Sequence, residues 1–435
     1  MRPIGYSDKI FYYNSSGNAL TYDFQMRITL TAAPNKDALQ RAARKTLAAF
    51  PEFAVRPVIH DGKIFYEENF SDVAIFDEHK PHALGSDETN GYLLCLICGA
   101  REIILSFYHG LSDFVGNWSF ICTLIYNYAR ELGFDFAAKN PVRLNADDYF
   151  AMDVAERDDP YSKFADENSA PTWIYKSRGA FRVPEKFFPP DVDRVQNYEI
   201  EISVADMIAA TEKFQTSVTP LLTVAVARAL KKIYDTKGLP IVGKIPVNMR
   251  PIFKTNTFSN FSDTSILAYT DEMDKLGVAE CCQALRQVLK AQLKPENFAG
   301  TLAKKKQRII GYENSGKDIE QIARELASTP SSRPVTYALT YPGILELPEE
   351  YKQVVRGFNM EPYSPVDGFF LYVGAYDDNR LLRVRCCQRF DSDRLAKAIA
   401  EEFERLNFKT AFKDAGTLDG DKVFIAKLKH VFINA

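Results

Sequence analysis

The pattern of strand and helix signals in this chain breaks once, between about Ala137 and Arg194, and restarts at the segment NYEIEIS. Within the break, Pro, Asp and Lys are frequent, as in PVRLNADDYFAMDVAERDDP and FRVPEKFFPPDVDR. Such a stretch suits a long surface crossover rather than a packed element. It divides the chain into two blocks that must each bury a core of their own. The expected division is a first half at 1–165, a crossover at 166–195 and a second half at 196–435. With 435 residues, 46% of them hydrophobic, there is material for both cores. The crossover should hold short ordered pieces, because Trp173, Tyr175 and several Phe need burial.

In the first half Tyr22 to Thr31 predicts a strand. Asn35 is placed to cap a helix that carries Leu39, Ala43, Leu47 and Phe50 on one face. Val55 to His60 and Lys63 to Glu67 predict a hairpin, since the Asp61-Gly62 dipeptide tolerates the positive φ of a tight turn. Gly91 to Gly99 and Ile103 to Tyr108 are apolar strands. Trp118, Ile121, Ile125, Tyr128 and Leu132 then define a helix face. In the second half Tyr198, Ile200 and Ile202 alternate as in a strand, and a helix follows from about Val204. Thr219-Pro220 offers a cap and a first-turn proline for another helix. Strands are expected at Ile241 to Val247, Val335 to Thr340, Gly368 to Ala375 and Leu381 to Arg389, with Asp377-Asp378-Asn379 turning between the last two. Leu395, Ile399, Phe403 and Leu406 mark a helix from about Ser392.

Several function classes lose support at this level. The net charge is −3, so the basic excess that phosphate backbones demand is missing and no nucleic-acid partner is expected. Lys304, Lys305 and Lys306 form one compact basic run, read as a solvated helix face. The first twenty residues have no apolar run of signal-peptide length, and the run around Leu221 to Leu230 is too short for a bilayer, so no membrane span and a cytoplasmic location are expected. The cysteines number seven, which fits reduced thiols. Cys95 and Cys98 fall on a strand, where residues three apart face opposite sides. The adjacent pairs Cys281-Cys282 and Cys386-Cys387 are poor chelators, and no metal site is expected. No GxSxG, HExxH or GxGxxG occurs. Gly311 to Asp318 has phosphate-loop spacing, but Asp318 stands where a metal-binding hydroxyl belongs, and a glycine-rich loop before a helix is the plainer reading. His79 and His82 flank a proline in a polar loop and read as surface residues.

The segment that carries chemistry is Ser106-Phe107-Tyr108-His109-Gly110-Leu111-Ser112-Asp113-Phe114-Val115-Gly116. His109 stands where a strand gives way to a turn and then a helix, a place where the backbone is fixed and the side chain meets a cleft. Gly110 permits an unusual turn beside it. An imidazole, with an unperturbed pKa of about 6.5, suits proton transfer at neutral pH. The same residues also allow plainer readings: a partly buried, hydrogen-bonded His109, and Asp113 or Ser112 as a helix cap.

The segment resembles the HHxxxDG motif of the chloramphenicol acetyltransferase-like superfamily, which includes coenzyme A-dependent alcohol acyltransferases and the condensation domains of peptide synthetases. Further stretches are similar in the same order: LQRAARKTLAAFPEF at Leu39 to Phe53, IPVNMRPIFKTNTFSNF at Ile245 to Phe261, and LTYPGILELP at Leu339 to Pro348. The resemblance spans nearly the whole chain. It implies an α/β (α+β sandwich) fold of two similar halves, each a mixed sheet flanked by helices, with a tunnel between them. It implies that His109 is a general base toward a thioester, that Asp113 pairs with Arg250 to support the site, and that Asn248 supports the Arg250 loop. Thr340 and Asn260 become candidates for oxyanion or acceptor contacts, and Tyr108, Gly110 and Phe114 become channel residues. Acyl-CoA would be a cosubstrate with no bound cofactor, an acyl carrier protein the alternative donor, and a small molecule the acceptor. One chain should complete the site, so a monomer suffices. The sequence departs from the motif at Tyr108 (for the first His), at Phe114 (for the Gly) and at Thr340-Tyr341 (for Ser-Asn). A condensation-type, amide-forming enzyme and a non-catalytic binding descendant of the fold are the alternatives.

Overall fold

The computed structural model describes residues 2–15, 23–61, 63–80, 82–136, 159–170, 179–188, 193–319, 321–322, 325, 335–344, 347–362, 369–376 and 380–420. The chain begins with β1 (Arg2–Pro3), α1 (Tyr6–Ser15), β2 (Asp23–Leu30), α2 (Lys36–Ala49), β3 (Val55–His60), β4 (Lys63–Glu68), β5 (Ile75–Phe76), β6 (Leu94–Cys98), β7 (Glu102–Tyr108) and α3 (Phe114–Glu131). After α4 (Pro160–Phe164) come β8 (Asp193–Ser203), α5 (Val204–Lys213), α6 (Val218–Ile233), β9 (Ile241–Asn248), α7 (Arg250–Phe253), β10 (Ser262–Tyr269), α8 (Val278–Gln292) and α9 (Pro295–Glu313). The chain continues through β11 (Tyr337–Thr340), β12 (Val355–Pro362), β13 (Phe369–Tyr376), β14 (Leu381–Gln388), α10 (Arg394–Arg405) and β15 (Thr410–Gly420).

The strands form three sheets: β1-β4-β3, β12-β2-β7-β6-β5, and β10-β9-β11-β13-β14-β8-β15. The architecture is mixed α/β. In the five-stranded sheet Met26, Ile28 and Leu30 of β2 point into a core shared with Leu39, Ala43 and Leu47 of α2 and Ile121, Leu124 and Ile125 of α3. Asn35 caps α2 by accepting from the Ala38 amide at 3.0 Å. In the seven-stranded sheet Tyr198, Ile200 and Ile202 of β8 bury one face against α6 and α10. Leu395, Ile399 and Phe403, four residues apart on α10, supply a continuous apolar stripe there.

One strand crosses between the sheets. Residues 355–362 lie late in the chain, yet they pair antiparallel with β2 at the edge of the five-stranded sheet, Phe358 opposite Ile28 and Met360 opposite Met26. The next strand, β13, returns to the seven-stranded sheet between β11 and β14. Sequence VRGFNMEP shows no clean alternation, and its glycine and proline weaken any strand signal, so nothing local announces this strand.

The structure departs from other expectations as well. Helix α6 begins at Val218 with Ser217 at the cap, and no side chain closes it, so Thr219 is not the cap. Lys304 is exposed, whereas Lys305 is only partly so: it bonds Asp263 Oδ1 at 2.8 Å, next to Tyr161. Burial opposes its charge, but Asp263 and Tyr161 outweigh burial and raise its pKa. His82 is also buried, stacked on Phe76 and 2.9 Å from Glu88 Oε1, while His79 meets the Gln25 carboxamide. Gly311 falls inside the last turn of α9, so the phosphate-loop spacing there belongs to a helix end. All seven cysteines are buried, with no disulfide. Of the crossover, Phe181 and Val183 enter the second core and α4 packs on α9. Trp173, Tyr175, Gly62 and the turn at 377–379 lie outside the described residues. Among the described residues no helix is long and apolar enough to cross a membrane.

Candidate active site

His109 follows β7 directly, and the chain then folds back so that the Leu111 amide donates to the Tyr108 carbonyl at 2.9 Å. Asp113 ends this turn as the cap of α3, its Oδ1 accepting from the Gly116 amide at 2.9 Å. The remaining lone pairs of that carboxylate reach across to the loop after β9. Oδ2 accepts from Arg250 Nη1 at 2.9 Å and from the Phe261 amide at 2.7 Å. Capping and pairing with Arg250 are therefore one function of one carboxylate.

Arg250 is buried and fully engaged. Nε donates to the Thr257 carbonyl at 2.7 Å and Nη2 to the Ser259 carbonyl at 2.9 Å. Asn248 Oδ1 accepts from the Arg250 amide at 3.1 Å and from Nη1 at 3.2 Å. The guanidinium thus folds residues 248–261 around itself and delivers the loop to the His109 turn. Ser112 Oγ completes the seam by donating to the Phe258 carbonyl at 2.6 Å. Gly116 explains how helix and loop approach so closely: a Cβ there would overlap Ser112 Oγ and the Phe258 carbonyl oxygen.

The imidazole itself is partly exposed and held from three sides. Phe11 of α1 stacks on it with centroids 4.7 Å apart and planes at 11°. Phe24 of β2 meets it edge-on at 5.0 Å. Asn260, 2% exposed, donates from Nδ2 to the His109 carbonyl at 2.8 Å, and the same nitrogen lies 2.9 Å from Nδ1. Burial pushes the His109 pKa below 6.5, against a hydrogen bond to its own carbonyl and the field of Asp113. The ring is accordingly neutral at neutral pH. With Asn260 Nδ2 on the Nδ1 side, Nε2 is the ring nitrogen left to face a substrate.

The other residues singled out from sequence take varied places. Tyr108 is buried, its ring 4.9 Å from that of Tyr12 within the first core. Gly110 has no positive φ; it is glycine because a Cβ would run into the Tyr108 ring and press on Phe11. Phe114 opens α3, half-buried, with its ring 6.2 Å from Trp118. Thr340 ends β11 opposite Tyr372 of β13, partly exposed. Phe11 and Phe24 escape the sequence reading: they lie far from His109 along the chain, and α1 has no periodic signature to announce it.

No protein-family model matches this sequence, and no curated protein matches it. Solved structures do. Trichothecene 15-O-acetyltransferase TRI3 from Fusarium sporotrichioides aligns over 93% of this chain and 94% of its own, with a TM-score of 0.61 at 13% identity. The chain has the chloramphenicol acetyltransferase-like fold. TRI101 of F. graminearum, solved with ethyl coenzyme A, covers 94% of this chain and 99% of its own (TM-score 0.58, 13% identity). The starter condensation domain of rhizomide synthetase RzmA, a double mutant solved with C8-CoA and Leu-SNAC, covers 93% of each chain (TM-score 0.57, 13% identity).

Proposed function

We propose that this protein transfers an acyl group from a thioester, supplied as acyl-CoA, to the hydroxyl or amine of a small acceptor. The observation that carries the reading is the His109 imidazole: neutral, clamped between Phe11 and Phe24, its Nδ1 side occupied by the main chain and Asn260. A base held in one orientation with one free lone pair is suited to general-base work. In the proposed step Nε2 takes the proton as the acceptor oxygen or nitrogen bonds to the thioester carbonyl carbon. The tetrahedral intermediate then expels the thiolate, which recovers the proton from the imidazolium, so the imidazole ends as it began. Thr340 is the proposed donor to the oxyanion. Asp113, Arg250 and Asn248 hold the loop that bears Asn260, and Asn260 holds the ring. The complexes of TRI101 with ethyl coenzyme A and of RzmA with C8-CoA support a CoA thioester as donor. Seven buried thiols without a disulfide fit a cytoplasmic setting.

The test is thiol release from a panel of acyl-CoA thioesters with small alcohols and amines. Wild-type turnover is expected, with a loss of about 10²- to 10⁴-fold in His109→Ala. Equal turnover by the two proteins refutes the reading. Turnover from carrier-protein thioesters alone would move the donor assignment to the condensation type.

A further inference from the structure

Two residues of α1 dock directly on the turn that carries the base. The Tyr12 ring lies 4.9 Å from that of Tyr108, the residue before His109. The Phe11 ring lies 4.7 Å from the imidazole, with planes at 11°. Nearly parallel rings this close meet face over face. Gly110, the residue after His109, makes the approach possible: a Cβ there would lie 3.1 Å from Phe11 Cβ and would strike the Tyr108 ring. Contacts away from the turn hold the helix in this place. Lys9 bonds Glu313 of α9 at 2.7 Å, the Tyr13 ring lies 6.4 Å from that of Tyr312, and Lys306 lies over the Tyr6 ring. The stack on His109 is therefore fixed from both sides, by α1 and by the turn.

The face of a phenyl ring is the negative side of its quadrupole. It attracts a cation within about 6 Å of the ring centroid, most strongly where water is excluded. A neutral imidazole gains only packing from such a face; an imidazolium gains an electrostatic attraction as well. In the acyl transfer proposed above, His109 is neutral at rest and charged from the arrival of the acceptor proton until the thiolate recovers it. Phe11 thus interacts more strongly with the charged state than with the resting one, which is the condition for lowering a barrier. Burial acts in the opposite sense, holding the resting ring below its usual pKa. The charged and titratable groups on the surrounding elements are engaged elsewhere. Asp113, on the same turn, favours the cation through its field, but both its oxygens are spent on Gly116, Phe261 and Arg250. On α1, Asp8 accepts from Ser7, Lys9 pairs with Glu313, and burial keeps the Tyr12 phenol neutral. On β2, Arg27 pairs with Glu102.

We infer that Phe11 is a positioning residue for the base, whose aromatic face stabilises the imidazolium form of His109. No bond to Phe11 forms or breaks; the proton arrives at Nε2 and leaves it again as described above. The inference rests on the acyl-transfer reading for the moment at which the charge appears, but not for the stabilisation itself.

The experiment puts 4-fluoro-, 3,5-difluoro- and 3,4,5-trifluorophenylalanine in place of Phe11 in the full chain. Fluorine withdraws charge from the ring face while changing the ring's size little, so the three variants keep the fold, which circular dichroism checks. The His109 pKa is read by NMR of the labelled imidazole, and kcat/KM for thiol release is measured across pH. The pKa should fall stepwise with each added fluorine, by about 0.5–1.5 in total, or about 3- to 30-fold in the protonation equilibrium. The acid midpoint of kcat/KM should move down with it, and the plateau should fall in the same order by no more than that factor. A ring that only excluded water would leave the pKa in place across the series; that result, or a rise, overturns the assignment. The NMR titration needs no turnover, which separates the two ideas. A stepwise fall in pKa in a protein that releases no thiol sinks the acyl-transfer reading and leaves the stabilisation standing. Turnover that requires His109, with a flat pKa across the series, does the reverse.

Discussion

Replacement of Asp113 tests whether one carboxylate joins the His109 turn to the loop after β9. Its side chain is 6% exposed and accepts three hydrogen bonds, from the Gly116 amide, the Phe261 amide and Arg250. Asp113→Ala removes the cap of α3, worth about 1 kcal/mol. It also leaves the Phe261 amide unsatisfied, at about 1–3 kcal/mol, and takes the carboxylate from a buried guanidinium. Breaking a buried pair by removing one partner typically costs about 3–5 kcal/mol. Arg250 retains the carbonyls of Thr257 and Ser259 and the Asn248 carboxamide, so the pair contributes at the low end and the total is expected at about 5–7 kcal/mol. Asp113→Asn keeps the cap. Its NH2 group, however, then takes the place of Oδ2 and faces both Arg250 Nη1 and the Phe261 amide, both donors, and the cost should be about 2–3 kcal/mol. Urea denaturation followed by circular dichroism and by the fluorescence of Trp118, which lies on α3 itself, gives both values. A cost for Asp113→Ala no larger than the cap alone, about 1 kcal/mol, would refute the view that this carboxylate ties the His109 turn to the 248–261 loop.

Three further outcomes are expected. Because burial depresses the His109 pKa, the acid limb of the kcat/KM profile should have its midpoint below 6.5, with a plateau through neutral pH. The same shift adds stability that is present above the unfolded pKa of about 6.5 and is lost as pH falls through the folded value, which acid denaturation of wild type against His109→Gln will register. Gly116→Ala should cost about 1–3 kcal/mol and lower turnover, since the new methyl must push the Phe258 backbone away; a thermal melt unchanged from wild type would contradict this. Asn260→Ala should reduce kcat about 10- to 100-fold with little change in KM, because it frees the ring without removing the base; a pure KM effect would place Asn260 on the substrate instead.

Much of the secondary structure was legible because its causes are local. The Asn35 cap, the alternation of Tyr198, Ile200 and Ile202 and the stripe on α10 each act within a few residues, and each produced the expected element. Elements whose reasons lie elsewhere were silent. Strand β12 exists because β2 offers it an edge, and helix α1 carries no clear amphipathic period even though Phe11 belongs to it. Lys305 read as solvated because neighbouring lysines usually are, and nothing nearby announced Asp263, 42 residues away in the chain.

The sequence by itself determined that His109 ends a strand before a helix with Asp113 or Ser112 to cap it, and its motif resemblance pointed to Arg250 as the partner of Asp113. Those relations depend on residue type and spacing. Only the tertiary structure decided what surrounds the imidazole: Phe11 and Phe24 on its faces, and Asn260 on its carbonyl and beside Nδ1. Such groupings arise when distant segments pack together. The free energy that brings them there belongs to the whole core, not to any stretch of chain that could be read alone.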